Sequence, residues 1–190
     1  AVAMGFVLVG GVDAMRPVTD GRPPFGGVPW LGPPDDPDPS LHELLGRGAR
    51  VHAAVGDAGL RRRWLGDHAD HAACIVHPTA VVSPSATIGE GVFIGPRAVV
   101  NARAVIGTGT IVNTAAILEH DARTGEFCHL APGAIVLGNA MVGDQTLVGS
   151  NATILPAITV GHRTTIGAGS VVTSDLPDDV RAFGNPARDR

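Results

Sequence analysis

The chain has no lysine and no tyrosine, only two cysteines, and aromatic residues at 4% of its 190 positions. All fixed positive charge therefore rests on arginine, 14 against 18 acidic residues, for a net charge of −4. No stretch is basic enough to grip a nucleic-acid backbone. Cys74 and Cys128 are too few for a disulfide framework and lack the paired spacing of a metal site. The longest apolar run, Ala1 to Val12, is too short to cross a bilayer. It also has neither the basic leader nor the cleavage site of a signal peptide. The expectation is a cytoplasmic protein with packed, reduced thiols and no inserted membrane segment. With aromatics scarce, a core must come from aliphatic residues, and apolar residues do make up 44% of the chain.

Those aliphatics are ordered. From Val76 to Val172 one falls at every sixth position, as in Val76, Val82, Ile88, Ile94, Val100, Ile106 and Val112. Seventeen consecutive positions hold one departure, Thr124, and no insertion breaks the phase. A period of six fits neither a helix at about 3.6 nor a strand at 2. It is the hexapeptide pattern of a parallel β-helix, in which three short strands close one coil and stability comes from stacking coils. The aliphatic residue points inward. Two places earlier the side chain is mostly small (Ala98, Ala104, Ala116, Cys128) and should sit where the wall bends. Glycine commonly follows the aliphatic (Gly89, Gly95, Gly107) and is expected to supply positive φ at the corner. About five coils are expected. Outward apolar residues such as Ile117, Ile135 and Leu147 suggest that three chains associate through flat walls.

The organisation expected is a partial α/β domain over 1–74, the β-helix over 75–174 and a tail over 175–190. In the first part Gly5 to Val12 reads as a buried strand, and 21–39 as a proline-rich connector. Ser40 should cap a helix from Leu41 to Gly46, with Glu43 completing a capping box. Arg50 to Gly56 reads as a second strand. Ala58 to His68 reads as a helix with Arg61, Arg62 and Arg63 on its polar side. Gly10 and Gly11 could approach a phosphate, or simply turn the chain at a strand end.

Several segments carry a family resemblance: GFVLVGGVD, GGVPWLGPPDD, AAVGDAGLRRR, NTAAILEHD, EFCHLAPGAIVLGN, VGSNATILPAITVG, IGAGSVVTSDLP and the closing FGNPAR. On these the chain resembles the bacterial hexapeptide-repeat acyltransferases. Within them it is similar to the sialic-acid O-acetyltransferase and nucleotide-amino-sugar N-acetyltransferase family, with the bacillosamine-type enzymes nearest. The resemblance implies a left-handed β-helix, a homotrimer, acetyl-CoA as co-substrate, no metal, and a nucleotide-sugar site on the α/β domain. Members begin with a strand, a Gly-rich loop and a helix that have no counterpart before Gly5, so the chain is expected to be shortened at its N-terminus and to lack the phosphate loop.

Acetyl transfer needs a base for the acceptor proton, donors for the developing oxyanion and a slot for the pantetheine arm. His42, His52, His68 and His71 read as solvated surface, His77 as a corner, and His162 as an outward position. His120 differs, because Asp121 follows it and can orient the ring. The resemblance implies that His120 is the general base, with Asp121 tuning it. It likewise implies that His129 contacts acetyl-CoA near the thioester carbonyl, the plain alternative being a corner histidine between subunits. Asn113 matches an acceptor-contacting residue, or else an asparagine chosen for left-handed backbone. Gly138, Ser150, Gly167 and Ala168 match the acetyl-CoA groove between subunits. Gly10, Gly11, Asp13, Gly56 and Asp57 match the nucleotide-sugar site.

The reading is an acetyl-CoA-dependent sugar acetyltransferase of surface-glycan synthesis, acting on an amine or hydroxyl, with small molecules as partners. The alternatives are a sialic-acid-type O-acetyltransferase, a non-catalytic β-helix scaffold, and a γ-type carbonic anhydrase. The last would need two histidines closely spaced on the wall, whereas His120 and His129 stand nine residues apart.

Overall fold

The computed structural model describes residues 39–190. Two-residue strands follow one another from Ile75–Val76 to Val171–Val172 at intervals of six residues. Strands eighteen positions apart pair in parallel: Ile75 faces Phe93, and Phe93 faces Ile111. The chain thus winds into a prism with three parallel faces. Face I runs from Ile75–Val76 through Ile111–Val112, His129–Leu130 and Leu147–Val148 to Thr165–Ile166. Face II runs from Val81–Val82 through Val99–Val100, Ile117–Leu118 and Ile135–Val136 to Val171–Val172. Face III runs from Thr87–Ile88 through Arg123–Thr124 to Thr159–Val160. Seventeen strands, three to a coil, make five full coils and most of a sixth. A final strand, Arg181–Phe183, extends face I and is closed by Arg188–Asp189 in antiparallel pairing. The tail is therefore built onto the prism.

The inward aliphatics do what their period implies. Ile94, Val100, Val112, Leu118, Leu130, Val136, Ile154 and Ile166 have essentially no solvent contact, each contributing roughly 1.5–3 kcal/mol through burial. Thr124 keeps the inward position and is buried too. The small residues two places earlier are equally buried. At one corner they turn polar: the Thr110 hydroxyl donates to the Gly125 carbonyl at 3.0 Å, and Thr146 to Gly161 at 2.8 Å. Between them the Cys128 thiol donates to Gly143 at 3.1 Å, and burial raises its pKa to about 11. The corner is a ladder in which each buried hydroxyl or thiol has an acceptor on the next coil.

The role expected for the glycines is corrected. Positive φ falls three residues after the inward aliphatic, at a slot shared by glycines such as Gly91 and Gly109 and by non-glycine residues such as Arg97, Ala115, Asp121 and Ala157 at φ 57, 54, 63 and 60°. The glycine directly after the aliphatic answers a steric demand. A Cβ on Gly89 would stand 2.6 Å from the Thr108 backbone nitrogen, and one on Gly107 would run into the Gly125 carbonyl.

Among the described residues, two short α-helices precede the prism, α1 (Ser40–Gly46) and α2 (Ala58–Gly66). The capping box expected at α1 does not form: its N-cap is Pro39, without a side-chain cap bond, and Glu43 pairs with Arg47 at 2.7 Å. Proline locks the entry, so the helix starts a residue early and Ser40 falls inside it. The strand expected over Arg50–Gly56 reduces to a single bridge, Val51 with Ala72. Leu65, Ala53 and Ala72 pack with Phe127, joining α2 to the prism. Arg61, expected on the polar side of α2, is 1% exposed. His52, expected at the surface, lies beside Phe93 with ring centroids 6.0 Å apart, and burial lowers its pKa. Among the described residues no helix is long and apolar enough to cross a membrane.

Candidate functional site

His120 and Asp121 occupy the corner between faces II and III, directly after Ile117–Leu118. Asp121 is the left-handed residue of its turn, at φ 63°, a conformation aspartate tolerates better than most. That turn throws its carboxylate beside the preceding side chain. Asp121 Oδ2 lies 2.9 Å from His120 Nδ1. One coil earlier, Arg103 Nε and Nη2 donate to Asp121 Oδ1 and Oδ2 at 2.7 and 2.8 Å. The Arg103 bonds first, and the His120 bond second, hold the Asp121 carboxyl down at about 2. An ionised carboxylate only accepts, so Nδ1 carries the ring proton and donates it to Asp121. Nε2 is then left as the basic nitrogen. A half-exposed imidazole with one nitrogen anchored and the other open is arranged to take a proton.

Gly138 stacks on this pair from the next coil. A Cβ there would lie 2.8 Å from both Cε1 and Nε2 of His120, so the ring needs glycine at that place. Gly138, expected along the acetyl-CoA groove, thus lies against the His120 ring.

His129 and Asn113 meet on face I. His129 begins the strand His129–Leu130, which pairs with Ile111–Val112, and Asn113 follows that neighbour. Asn113 Oδ1 accepts from the Thr114 backbone N–H at 2.7 Å and from the Thr114 hydroxyl at 3.3 Å. Its amide nitrogen therefore faces the ring, 3.1 Å from His129 Nε2. An amide N–H can only donate, so Nε2 accepts and the His129 proton sits on Nδ1. Burial first, and the Arg61 charge second, lower the His129 pKa, while the Gly56 carbonyl acts on the ring as an acceptor. Asn113 does not have the left-handed backbone once considered for it; Ala115 does.

Asn113 also begins a stripe. Two coils on comes Ser150, and on the coil after that Gly167 and Ala168, up the corner between faces I and II; the Phe183 ring rests on Gly167. Gly56 and Asp57 lead into α2. The Asp57 carboxylate is occupied there as N-cap, accepting from Leu60 N at 2.8 Å. Gly10, Gly11 and Asp13 lie outside the described residues. In one chain the expected residues thus form two groups on different sides of the prism: His120, Asp121 and Gly138 at one corner, and His129, Asn113, Ser150, Gly167 and Ala168 along face I and its edge.

Two residues of these groups were missed by the sequence reading. Arg103 stands eighteen residues before Asp121, one coil in this fold, and that spacing is the signal that would have found it. Arg61 stands four before Leu65, on the buried side of α2. Among the described residues no group of three or more His, Cys, Asp or Glu side chains is gathered as a metal site would be.

The sequence profile described as "Bacterial transferase hexapeptide (six repeats)" matches residues 139–174. The chain is 39% identical to a variant of perosamine N-acetyltransferase from Caulobacter crescentus, solved with CoA and GDP-perosamine. That likeness covers 86% of this chain and 78% of the other, with a TM-score of 0.80. To the acetyltransferase domain of PglB from Neisseria gonorrhoeae, solved with acetyl coenzyme A, it is 34% identical, covering 94% and 84% at a TM-score of 0.84. Among curated sequences, galactoside O-acetyltransferase of Lactococcus lactis is 54% identical over 33 residues, a span of 17% of this chain and 16% of that protein.

Proposed function

The chain belongs to the hexapeptide-repeat acetyltransferases, in the branch of nucleotide-amino-sugar N-acetyltransferases, and we propose that it moves the acetyl group of acetyl-CoA onto the amine of a nucleotide-linked amino sugar. The observation that carries this reading is the His120–Asp121 pair, in which Nδ1 is tied at 2.9 Å and Nε2 is left as base. The neutral sugar amine attacks the thioester carbonyl. As the C–N bond forms, His120 Nε2 takes the amine proton. The C–S bond then breaks, and the imidazolium returns that proton to the departing thiolate, giving amide and free CoA. Asp121 orients the ring and offsets its transient charge without itself accepting the proton.

A second chain completes the site in this reading. His120 lies on one corner of the prism, and His129 with Asn113 on another side, so a substrate meeting all three must lie between neighbouring copies. Face II offers an aliphatic wall for such packing, with Val99, Ile117 and Ile135 outward and only half-buried in the single chain and Val81 63% exposed. The assembly is a homotrimer, with acetyl-CoA along Ser150, Gly167 and Ala168 of one subunit and His120 of the next. His129 and Asn113 face the reacting groups. Gly56 and Asp57, with Gly10, Gly11 and Asp13, belong to the sugar-nucleotide side. Product would feed a surface glycan, in the cytoplasmic setting expected of a chain with two free thiols.

Incubation with acetyl-CoA and a panel of nucleotide-linked amino sugars, following release of the CoA thiol, tests the reading. Turnover with an amino sugar and none with its deaminated analogue is expected. Transfer to hydroxyls alone would make it an O-acetyltransferase. No transfer from a trimer that binds acetyl-CoA would overturn it.

A further inference from the structure

Arg61 is the one charged side chain among the described residues that is fully withdrawn from solvent. Every N–H of its guanidinium is spent on a backbone carbonyl. Nε donates to Gly109 at 2.6 Å. One terminal nitrogen donates to Val55 and Gly56, both at 2.9 Å. The other donates to Phe127 at 2.6 Å and Cys128 at 3.0 Å. The acid nearest in charge, Asp57, is committed to capping α2. The burial is severe enough to lower even an arginine pKa.

A buried charge is a poor adhesive, since desolvation consumes much of what its bonds return. Leu65, Ala53 and Ala72 already pack α2 against Phe127. What a guanidinium adds is direction. Its planar fork fixes several acceptors at set angles, which an ammonium cannot do. The acceptors held here share one neighbour. Phe127 and Cys128 are the two residues before His129, and Gly56 lies against the His129 ring, where an added Cβ would stand 3.9 Å from Cε1. Arg61 therefore holds His129 from its own backbone and from the opposing turn together. His129 in turn accepts the Asn113 amide at 3.1 Å, which leaves that amide one free N–H.

We propose that Arg61 is a positioning residue for the acceptor: by fixing the Phe127–Cys128 carbonyls and the Val55–Gly56 turn, it keeps His129 in the tautomer protonated on Nδ1, and so aims the free Asn113 N–H at the sugar. The kinetic consequence rests on the function proposed above; the tautomer does not. Arg61 also links the turn before α2 to the prism, so the nucleotide side and the acetyl side are set at a fixed distance by one side chain.

The test uses Arg61→Lys and Arg61→Gln in the full chain, with nitrogen-15 imidazole spectra and steady-state kinetics. The wild-type His129 ring should give the neutral Nδ1–H signature at pH 7, and Arg61→Lys should mix the tautomers. The KM for nucleotide sugar should rise about tenfold, while kcat and the KM for acetyl-CoA stay within about threefold. Asn113→Ala should raise the same KM, and the double variant should be no worse than the poorer single one, because both act through one path. An unchanged His129 signature in a folded variant overturns the proposal. So does a parallel rise of both KM values, or loss of the fold in both variants, which would make Arg61 a structural clamp. If the wild-type protein acetylates nothing, the proposed reaction fails while the spectra still judge the tautomer.

Discussion

Arg103 grips both carboxylate oxygens of Asp121, at 2.7 and 2.8 Å, from the coil before it. Oδ2 of that carboxylate also holds His120. His120 is therefore the end of a three-member line that climbs the corner of the prism, and its orientation depends on the stacking of coils. Because the Arg–Asp bond is bidentate, a monodentate lysine would not reproduce it.

Removing the proposed base should be decisive. His120→Ala is expected to lower kcat by roughly 10²–10⁴-fold, the usual worth of a positioned general base. Asp121→Asn should cost less, since it alters orientation and basicity but leaves the nitrogen that takes the proton. Single-turnover measurement of CoA release separates the two. Near-full activity in His120→Ala would pass the role to another group, with His129 first in line.

The Asp121 carboxyl sets a pH signature. Its folded value of about 2 lies below the ordinary 3.8, held there by Arg103 first and His120 second. The favourable state is the ionised one, so the stabilisation is complete above the ordinary value and is lost as pH falls towards about 2. A carbon-13 carboxyl titration should therefore show a midpoint near 2 in the wild-type protein. In Arg103→Gln the midpoint should climb towards 3.8. High salt should narrow the difference, because the pair is solvent-exposed. A midpoint that ignores the substitution would mean that the ion pair does not persist in solution.

The period of six makes the prism legible in the sequence alone. One inward aliphatic per strand is a strong constraint, and even Thr124 obeys it. The His120–Asp121 pair was legible because the two are adjacent in sequence. Arg103 was not, because its partner lies eighteen residues on and only the coil length converts that into contact. Arg61 was misassigned because three arginines in a row read as a polar face, yet a helix of nine residues has room for one of them to point inward. The turn glycines were misassigned for a related reason. Periodicity locates a special backbone slot but does not say whether the demand there is torsional or steric.

That distinction makes opposite predictions at neighbouring slots. Gly89→Ala brings a methyl within 2.6 Å of the Thr108 nitrogen, and should destabilise the prism by roughly 1–3 kcal/mol as overpacking does. Ala115→Gly relieves a left-handed alanine at φ 54° and should stabilise by up to about 1 kcal/mol, since an L-residue pays roughly 1–2 kcal/mol there. Urea unfolding of the two variants gives both signs. If Ala115→Gly is the more damaging of the pair, the torsional demand does not sit where the backbone puts it.

Gly138 offers the sharpest separation between its two readings. As a groove residue it would matter to acetyl-CoA, and Gly138→Ala would raise the donor KM with little change in kcat. In the structure an added Cβ there would also lie 2.8 Å from Cε1 and Nε2 of His120. The methyl would meet the edge of the ring that carries the free basic nitrogen. The ring is anchored only through Nδ1, so it must swing about that bond and carry Nε2 away from the acceptor proton. Displacement of a reacting group by about 1 Å can cost up to 10²-fold. Gly138→Ala is therefore expected to lower kcat roughly 10–10²-fold, with the donor KM within about twofold and the melting temperature nearly unchanged. Stopped-flow acetyl-CoA binding beside steady-state turnover checks it. Weakened donor binding at undiminished kcat would return Gly138 to the groove and leave His120 unconstrained from above.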